Sequence, residues 1–84
     1  MHVSVISAER SVFEGEADAV VAPAYDGLVG ILPGHAPFTT LLGTGIATVR
    51  RSGQTIRLQL AGGFLQVASN VVRIVAGSAS PADS

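Results

Sequence analysis

Apolar and polar positions alternate with a period of two through most of the chain, and residues 54–60 show it best. There Ile56, Leu58 and Leu60 point one way and Thr55, Arg57 and Gln59 the other, which predicts a strand with one face buried. Residues 2–6 alternate Val3 and Val5 with His2 and Ser4. Residues 16–21 place Ala17, Ala19 and Val21 on one face against Glu16 and Asp18. Residues 71–75 are β-branched almost throughout, broken only by Arg73. Segments 28–32, 39–42, 45–51 and 64–68 read as further short strands.

The breaks between these segments carry turn chemistry. Ser52-Gly53 predicts a two-residue hairpin between residues 45–51 and 54–60. Ser69-Asn70 predicts another between 64–68 and 71–75, because asparagine tolerates positive φ. Gly62-Gly63 predicts a bend or bulge. Asp26-Gly27 reads as a turn, and Pro33-Gly34 as a type II turn. No window supports a helix longer than a turn, since the best ones contain glycine, proline or β-branched runs. Short strands with frequent turn signals predict an all-β sandwich or barrel. That domain is expected over residues 1–76. The small, polar residues 77–84 are expected to form a flexible or frayed C-terminal tail.

Composition narrows the function classes. With 84 residues and no cysteine, one domain without disulfides is expected, and a thiolate zinc site is excluded. Charged residues make up 13% of the chain and hydrophobic ones 48%, against roughly a quarter charged in ordinary soluble domains. So few charges on so small a surface imply that a partner covers part of it. A net charge of −1 offers no field for nucleic acid, and Arg50-Arg51 reads as a solvated strand end. No apolar run approaches the ~20 residues of a membrane-spanning helix. The N-terminus lacks a signal-peptide pattern. A soluble protein made in the cytoplasm is expected, linked to any membrane only through another protein.

Catalytic constellations are not evident. His2 is expected to be exposed. His35 has no carboxylate close enough in sequence to suggest a metal site, and Ser4, Ser7 and Ser11 have no base beside them. Gly27, Gly30 and Gly34 might cradle a phosphate, yet no lysine and no helix start follow them. Residues 26–38 therefore read either as two turns around a short strand, with His35 capping the turn or packing on Phe38, or as a rigid partner-contact loop on a β scaffold.

At this segment the chain resembles the epsilon subunit of bacterial F-type ATP synthases, delta in mitochondria. The matching residues are Val5-Ile6-Ser7-Ala8-Glu9-Arg10 with Val12-Phe13-Glu14-Gly15, then Asp26-Gly27, then Gly30-Ile31-Leu32-Pro33-Gly34-His35-Ala36-Pro37 with Thr39-Thr40-Leu41. Gly45-Ile46 follows, and Gly62-Gly63-Phe64-Leu65-Gln66-Val67 precedes Asn70-Val71-Val72. The resemblance covers nearly all of the chain to Ala76. It implies a flattened ten-stranded β-sandwich. It implies a non-catalytic rotor subunit in the central stalk, bound to gamma and resting on the polar loops of the c-ring, which couples proton or sodium flow to ATP synthesis.

Carried over position by position, the resemblance points to Tyr25, Asp26, Gly27 and Leu28 as c-ring contacts. Many members hold an acid where Leu28 stands. It points to Ser7, His35, Ala36, Pro37 and Thr40 as gamma contacts. Many members continue into a two-helix hairpin that blocks ATP hydrolysis and in some binds ATP through an Asp/Glu-x-x-Arg-Ala pattern. Residues 76–84 show neither feature, so the resemblance implies a short form, natural or trimmed, without hairpin inhibition, nucleotide binding or any cofactor. The implied location is peripheral, on the cytoplasmic face of the bacterial inner membrane. The alternative is a free-standing β-sandwich that binds a small ligand or peptide.

Overall fold

The computed structural model describes residues 1–82. Eight strands follow one another: β1 (His2–Ser7), β2 (Ser11–Glu16), β3 (Ala19–Ala24), β4 (Gly27–Ile31), β5 (Phe38–Leu41), β6 (Thr44–Arg51), β7 (Gln54–Ala68) and β8 (Val71–Pro81). They form one continuous ladder in the order β2-β1-β8-β7-β6-β3-β4, with β5 added beside β7. All pairings are antiparallel except β1 with β8.

The ladder folds back on itself because β7 and β8 bend together. β7 pairs with β6 through residues 54–61 and with β5 through residues 64–67. The bend falls at Gly62 and Gly63, with φ of +70° and +106°, where Gly62 and Gly77 are left out of the β7–β8 pairing while the register on either side stays the same. Two layers result. The first contains β2, β1, the start of β8, the end of β7, and β5. The second contains β4, β3, β6, the start of β7 and the end of β8. The ten expected strands are thus eight, two of which serve both layers. Val3, Val5, Leu65, Val67, Val72 and Ile74 from the first layer meet Val20, Ile31, Val49, Leu58 and Leu60 from the second in one buried cluster. The body measures 27 × 26 × 23 Å and is only slightly flattened.

Both expected hairpins form. Ser52 and Gly53 have φ of +48° and +78°, Ser69 and Asn70 of +52° and +62°, the two positive values of a type I′ turn whose twist matches the flanking strands. Arg51 pairs with Gln54 and Ala68 with Val71 across them. The predicted faces of residues 54–60 also hold, with Leu58 and Leu60 buried and Ile56 packed on the core.

Three expectations are corrected. Residues 77–81 are not a tail: they extend β8, pairing Ser78, Ala79, Ser80 and Pro81 with Ala61, Leu60, Gln59 and Leu58. Backbone hydrogen bonds need no apolar side chain, so glycine, serine and alanine gave this strand no hydropathy signal. Pro81, without an N–H, suits an edge strand. Asp83 and Ser84 lie outside the described residues.

The second correction concerns residues 16–21, which are not one strand. The chain changes layer at Ala17 and Asp18, where the Ala17 N–H donates to Met1 O (2.9 Å) and the Asp18 N–H to Arg50 O (2.7 Å). This step resets the alternation, so Val20 and Ala22, not Ala19 and Val21, face the core. The third correction moves the first turn. Ala24 pairs with Gly27, which makes Tyr25-Asp26 the turn residues and Gly27, at φ +135°, the first residue of β4.

Candidate functional site

The four expected c-ring residues lie together at the β3–β4 hairpin. Tyr25 and Leu28 are 67% and 74% exposed, among the most exposed large apolar side chains of the described residues. Two apolar groups at a hairpin tip suit a protein contact better than water. The Tyr25 N–H donates to Leu41 O (3.0 Å), which ties this hairpin to the end of β5.

The five expected gamma residues do not form one cluster. His35, Ala36 and Pro37 lie in the connection between β4 and β5. Its turn has the features of type II: the His35 N–H donates to Leu32 O (3.1 Å), with Pro33 and Gly34 between them and φ +84° at Gly34. The His35 ring lies 5.4 Å from the Phe38 ring, and its Nδ1 donates to Ala36 O (2.7 Å). The corner is joined to the β7–β8 turn, where the Gly34 N–H donates to Asn70 Oδ1 (3.0 Å). Asn70 O in turn accepts from the His2 N–H at the start of β1 (3.1 Å).

Ser7 sits at the other end of β1, opposite Ala76. Five residue steps along the strand separate it from His2, about 16 Å. Its Oγ accepts from the Glu9 and Arg10 N–H groups (3.3 and 3.4 Å) and donates to Arg10 O (3.3 Å). That hydroxyl is therefore engaged in closing the β1–β2 turn. Thr40 pairs with Leu65, whose side chain is buried, so Thr40 shares the inward face of β5.

The outer face of the first layer carries what the sequence reading missed. Ile6 pairs with Val75, Val75 with Phe64, and Phe64 with Leu41. Directly paired residues share a face, and the neighbours Val5, Ile74 and Leu65 are buried. Ile6, Val75, Phe64 and Leu41 therefore form one outward apolar row across four strands, about 14 Å long. Leu41 is 63% and Phe64 40% exposed. Tyr25 extends the row, and an open groove of about 330 Å³ lies among Tyr25, Thr39, Thr40, Leu41 and Phe64. The next outward row is polar: Ser4, Arg73, Gln66 and Thr39 lie in register. An apolar centre beside a polar margin is the anatomy of a protein interface.

The row was partly legible. Residues 71–75 are apolar on both faces of β8, a sign that both are covered. Its other members come from separate strands, and only pairing brings them into line.

Among the described residues, no group of three or more His, Cys, Asp or Glu has metal-holding geometry, and no polar or charged side chain is buried. His2 is less free than expected. Its ring nitrogens lie 3.3 Å from Glu14 and 3.4 Å from Glu16, so it links β1 to the edge strand β2. Arg51, half of the expected solvated pair, lies over the Phe13 ring at 5.8 Å. No described helix is long and apolar enough to cross a membrane.

Comparison with known proteins adds the family. The model of the ATP synthase delta/epsilon chain β-sandwich domain matches residues 1–82. An ATP synthase epsilon chain of Roseiflexus sp. is 41% identical over 83 residues, which are 99% of this chain and 60% of that one. An epsilon chain of Leptospira borgpetersenii is 40% identical over 75 residues, 89% of this chain and 59% of that one. One of Streptomyces avermitilis is 39% identical over 84 residues, 99% of this chain and 68% of that one. The chain thus spans about 60% of the length of the first two relatives.

Among solved structures, a chain of the Euglena gracilis mitochondrial ATP synthase, in an assembly of OSCP, F1 and c-ring, superposes with a TM-score of 0.87 at 26% identity. The match covers 94% of this chain and 51% of that one. A chain of the Tetrahymena thermophila central stalk and c-ring superposes at 0.79 with 13% identity, covering 94% and 64%, and shows the shared fold. With the sandwich, the motif-bearing corner and the matched residues in agreement, the chain belongs to the ATP synthase delta/epsilon chain β-sandwich domain family.

Proposed function

We propose that this chain is the β-sandwich part of a non-catalytic central-stalk subunit of an F-type ATP synthase. In this reading it binds gamma, rests on the c-ring, and couples proton or sodium flow to ATP synthesis from the cytoplasmic face of the bacterial inner membrane. The apolar row Ile6–Val75–Phe64–Leu41 carries the reading. It supports a stable protein partner, and gamma is the partner that family membership suggests.

A rotor element must transmit torque without yielding. A sandwich whose strands β7 and β8 run unbroken through both layers suits that role, because no hinge separates the layers. The exposed Tyr25 and Leu28 support the second contact, towards the c-ring. With leucine at position 28 that contact would be apolar, not acidic as in many members. A free-standing ligand-binding module is favoured less, since the groove beside Phe64 is open and lined by no charged group.

The test is size-exclusion chromatography of the chain mixed with gamma from the same cell. Co-elution is expected. Leu41→Arg should weaken it by at least tenfold, since a charge would be buried in the apolar row, while the fold stays unchanged because Leu41 faces outward. Failure of gamma to co-elute with the parent would sink the proposal. Equal binding by Leu41→Arg would move the interface elsewhere. His35→Ala, at a half-buried site where the ring bonds the Ala36 carbonyl and lies beside Phe38, should leave the thermal midpoint nearly unchanged and weaken gamma binding. If it unfolds the domain, the histidine serves the turn alone.

A further inference from the structure

The two type I′ hairpins allow a comparison within one molecule. Both begin with serine at positive φ. The second residue is Gly53 in one turn and Asn70 in the other, at φ of +78° and +62°. Glycine meets that backbone requirement at the least steric cost, so the turn by itself does not call for a side chain. At position 70 the side chain has a separate partner. Asn70 Oδ1 accepts the Gly34 N–H at 3.0 Å, across 36 residues of sequence. The other hydrogen bonds of the corner, His35 N–H to Leu32 O and His35 Nδ1 to Ala36 O, are local. Among the described residues, no other side-chain hydrogen bond ties residues 32–37 to a different element.

We infer that Asn70 is a positioning residue, a latch that holds the Pro33–Pro37 corner against the β7–β8 turn and so sets the direction in which His35, Ala36 and Pro37 are presented. Asparagine suits both tasks: it accepts the left-handed backbone, and its amide oxygen reaches a neighbouring N–H. The backbone carbonyl of Asn70 holds the start of β1 through His2, a bond that no substitution at this position removes. Turn and latch can therefore be separated by mutation. The latch does not depend on the proposed function. Its consequence for gamma binding does.

The test uses the ¹⁵N-labelled chain and compares the parent with Asn70→Gly and Asn70→Asp. Asn70→Gly keeps the turn and removes the acceptor, so the amide order parameters of Gly34, His35 and Ala36 should fall from about 0.85 to below about 0.6, while those of Ala68 and Val71 hold. Gly34 amide exchange should quicken about fivefold, the loss of one modest hydrogen bond. Asn70→Asp restores an acceptor at the same reach and should return both readouts to parent values. The latch is overturned if Asn70→Gly leaves residues 34–36 as rigid as in the parent, if Ala68 and Val71 loosen equally, or if Asp fails to rescue. Loosening of the corner in Asn70→Gly with unchanged gamma binding would leave the latch standing and remove the corner from the gamma interface.

Discussion

Gly63→Ala is expected to unfold the domain. Gly63 has φ of +106°, outside the left-handed region that asparagine or serine reaches, and an added Cβ would collide with the Val75 carbonyl oxygen and lie 2.8 Å from the Ala76 Cα. Neither neighbour is a flexible side-chain end. Both are backbone of the paired strand β8, in the corner where β7 and β8 cross from one layer to the other. The corner is also tied to the chain entering β6, since the Leu42 N–H donates to Gly63 O (2.9 Å) and the Gly62 N–H to Gly43 O (3.2 Å). Relief of the collision would therefore pull several hydrogen bonds apart. Backbone strain alone costs about 1–3 kcal/mol, and the forced separation of β7 from β8 adds to it, against a total stability of only about 5 kcal/mol or a little more for a domain this small.

Gly62→Ala is the matched control. Its φ of +70° is closer to the left-handed region and nothing lies within 4 Å of the added Cβ, so the expected cost is about 1–2 kcal/mol. Urea denaturation followed by circular dichroism compares the two. A Gly63→Ala midpoint equal to that of Gly62→Ala would refute the close approach at this corner.

Leu58→Ala is the second large effect, with an expected loss of about 2–5 kcal/mol. Leu58 is 3% exposed and lies between Ala47 of β6 and Pro81 of β8 on the inner face of the second layer. Alanine and proline next to it are too small or too rigid to fill the space, so the cavity should persist. Arg57, one residue away and exposed, is the control, and Arg57→Ala should change stability by no more than about 0.5 kcal/mol. Equal denaturation midpoints for the two variants would mean that residues 54–60 do not present the face described.

Features governed by local chemistry were legible in the sequence. Ser52-Gly53 and Ser69-Asn70 make hairpins because a type I′ turn is specified by the residues that occupy it. Leu58 and Leu60 face inward because alternation survives wherever a strand runs unbroken. Gly62-Gly63 bends because two residues without Cβ atoms can take conformations closed to others. The Gly30–Pro37 run, with the Gly62–Val67 run after it, was enough to suggest the family that the comparisons then showed.

Other features depended on distances that no local pattern encodes. Residues 77–81 join the sheet through backbone bonds to β7, and small residues leave no trace of that in hydropathy. The step at Ala17 and Asp18 inverted the predicted faces because its cause, bonding to Met1 and Arg50, lies 16 and 32 residues away. Ser7 and His35, grouped by resemblance, lie apart because they occupy opposite ends of the first layer.

By itself, then, the sequence determined the two type I′ hairpins, the Pro33-Gly34 turn, the strand faces within unbroken runs and the family, all set by neighbouring residues or by motif. Only the tertiary structure decided the candidate interface. Ile6, Leu41, Phe64 and Val75 are distant in sequence, and strand register alone, summed across three separate pairings, brings them into one apolar row.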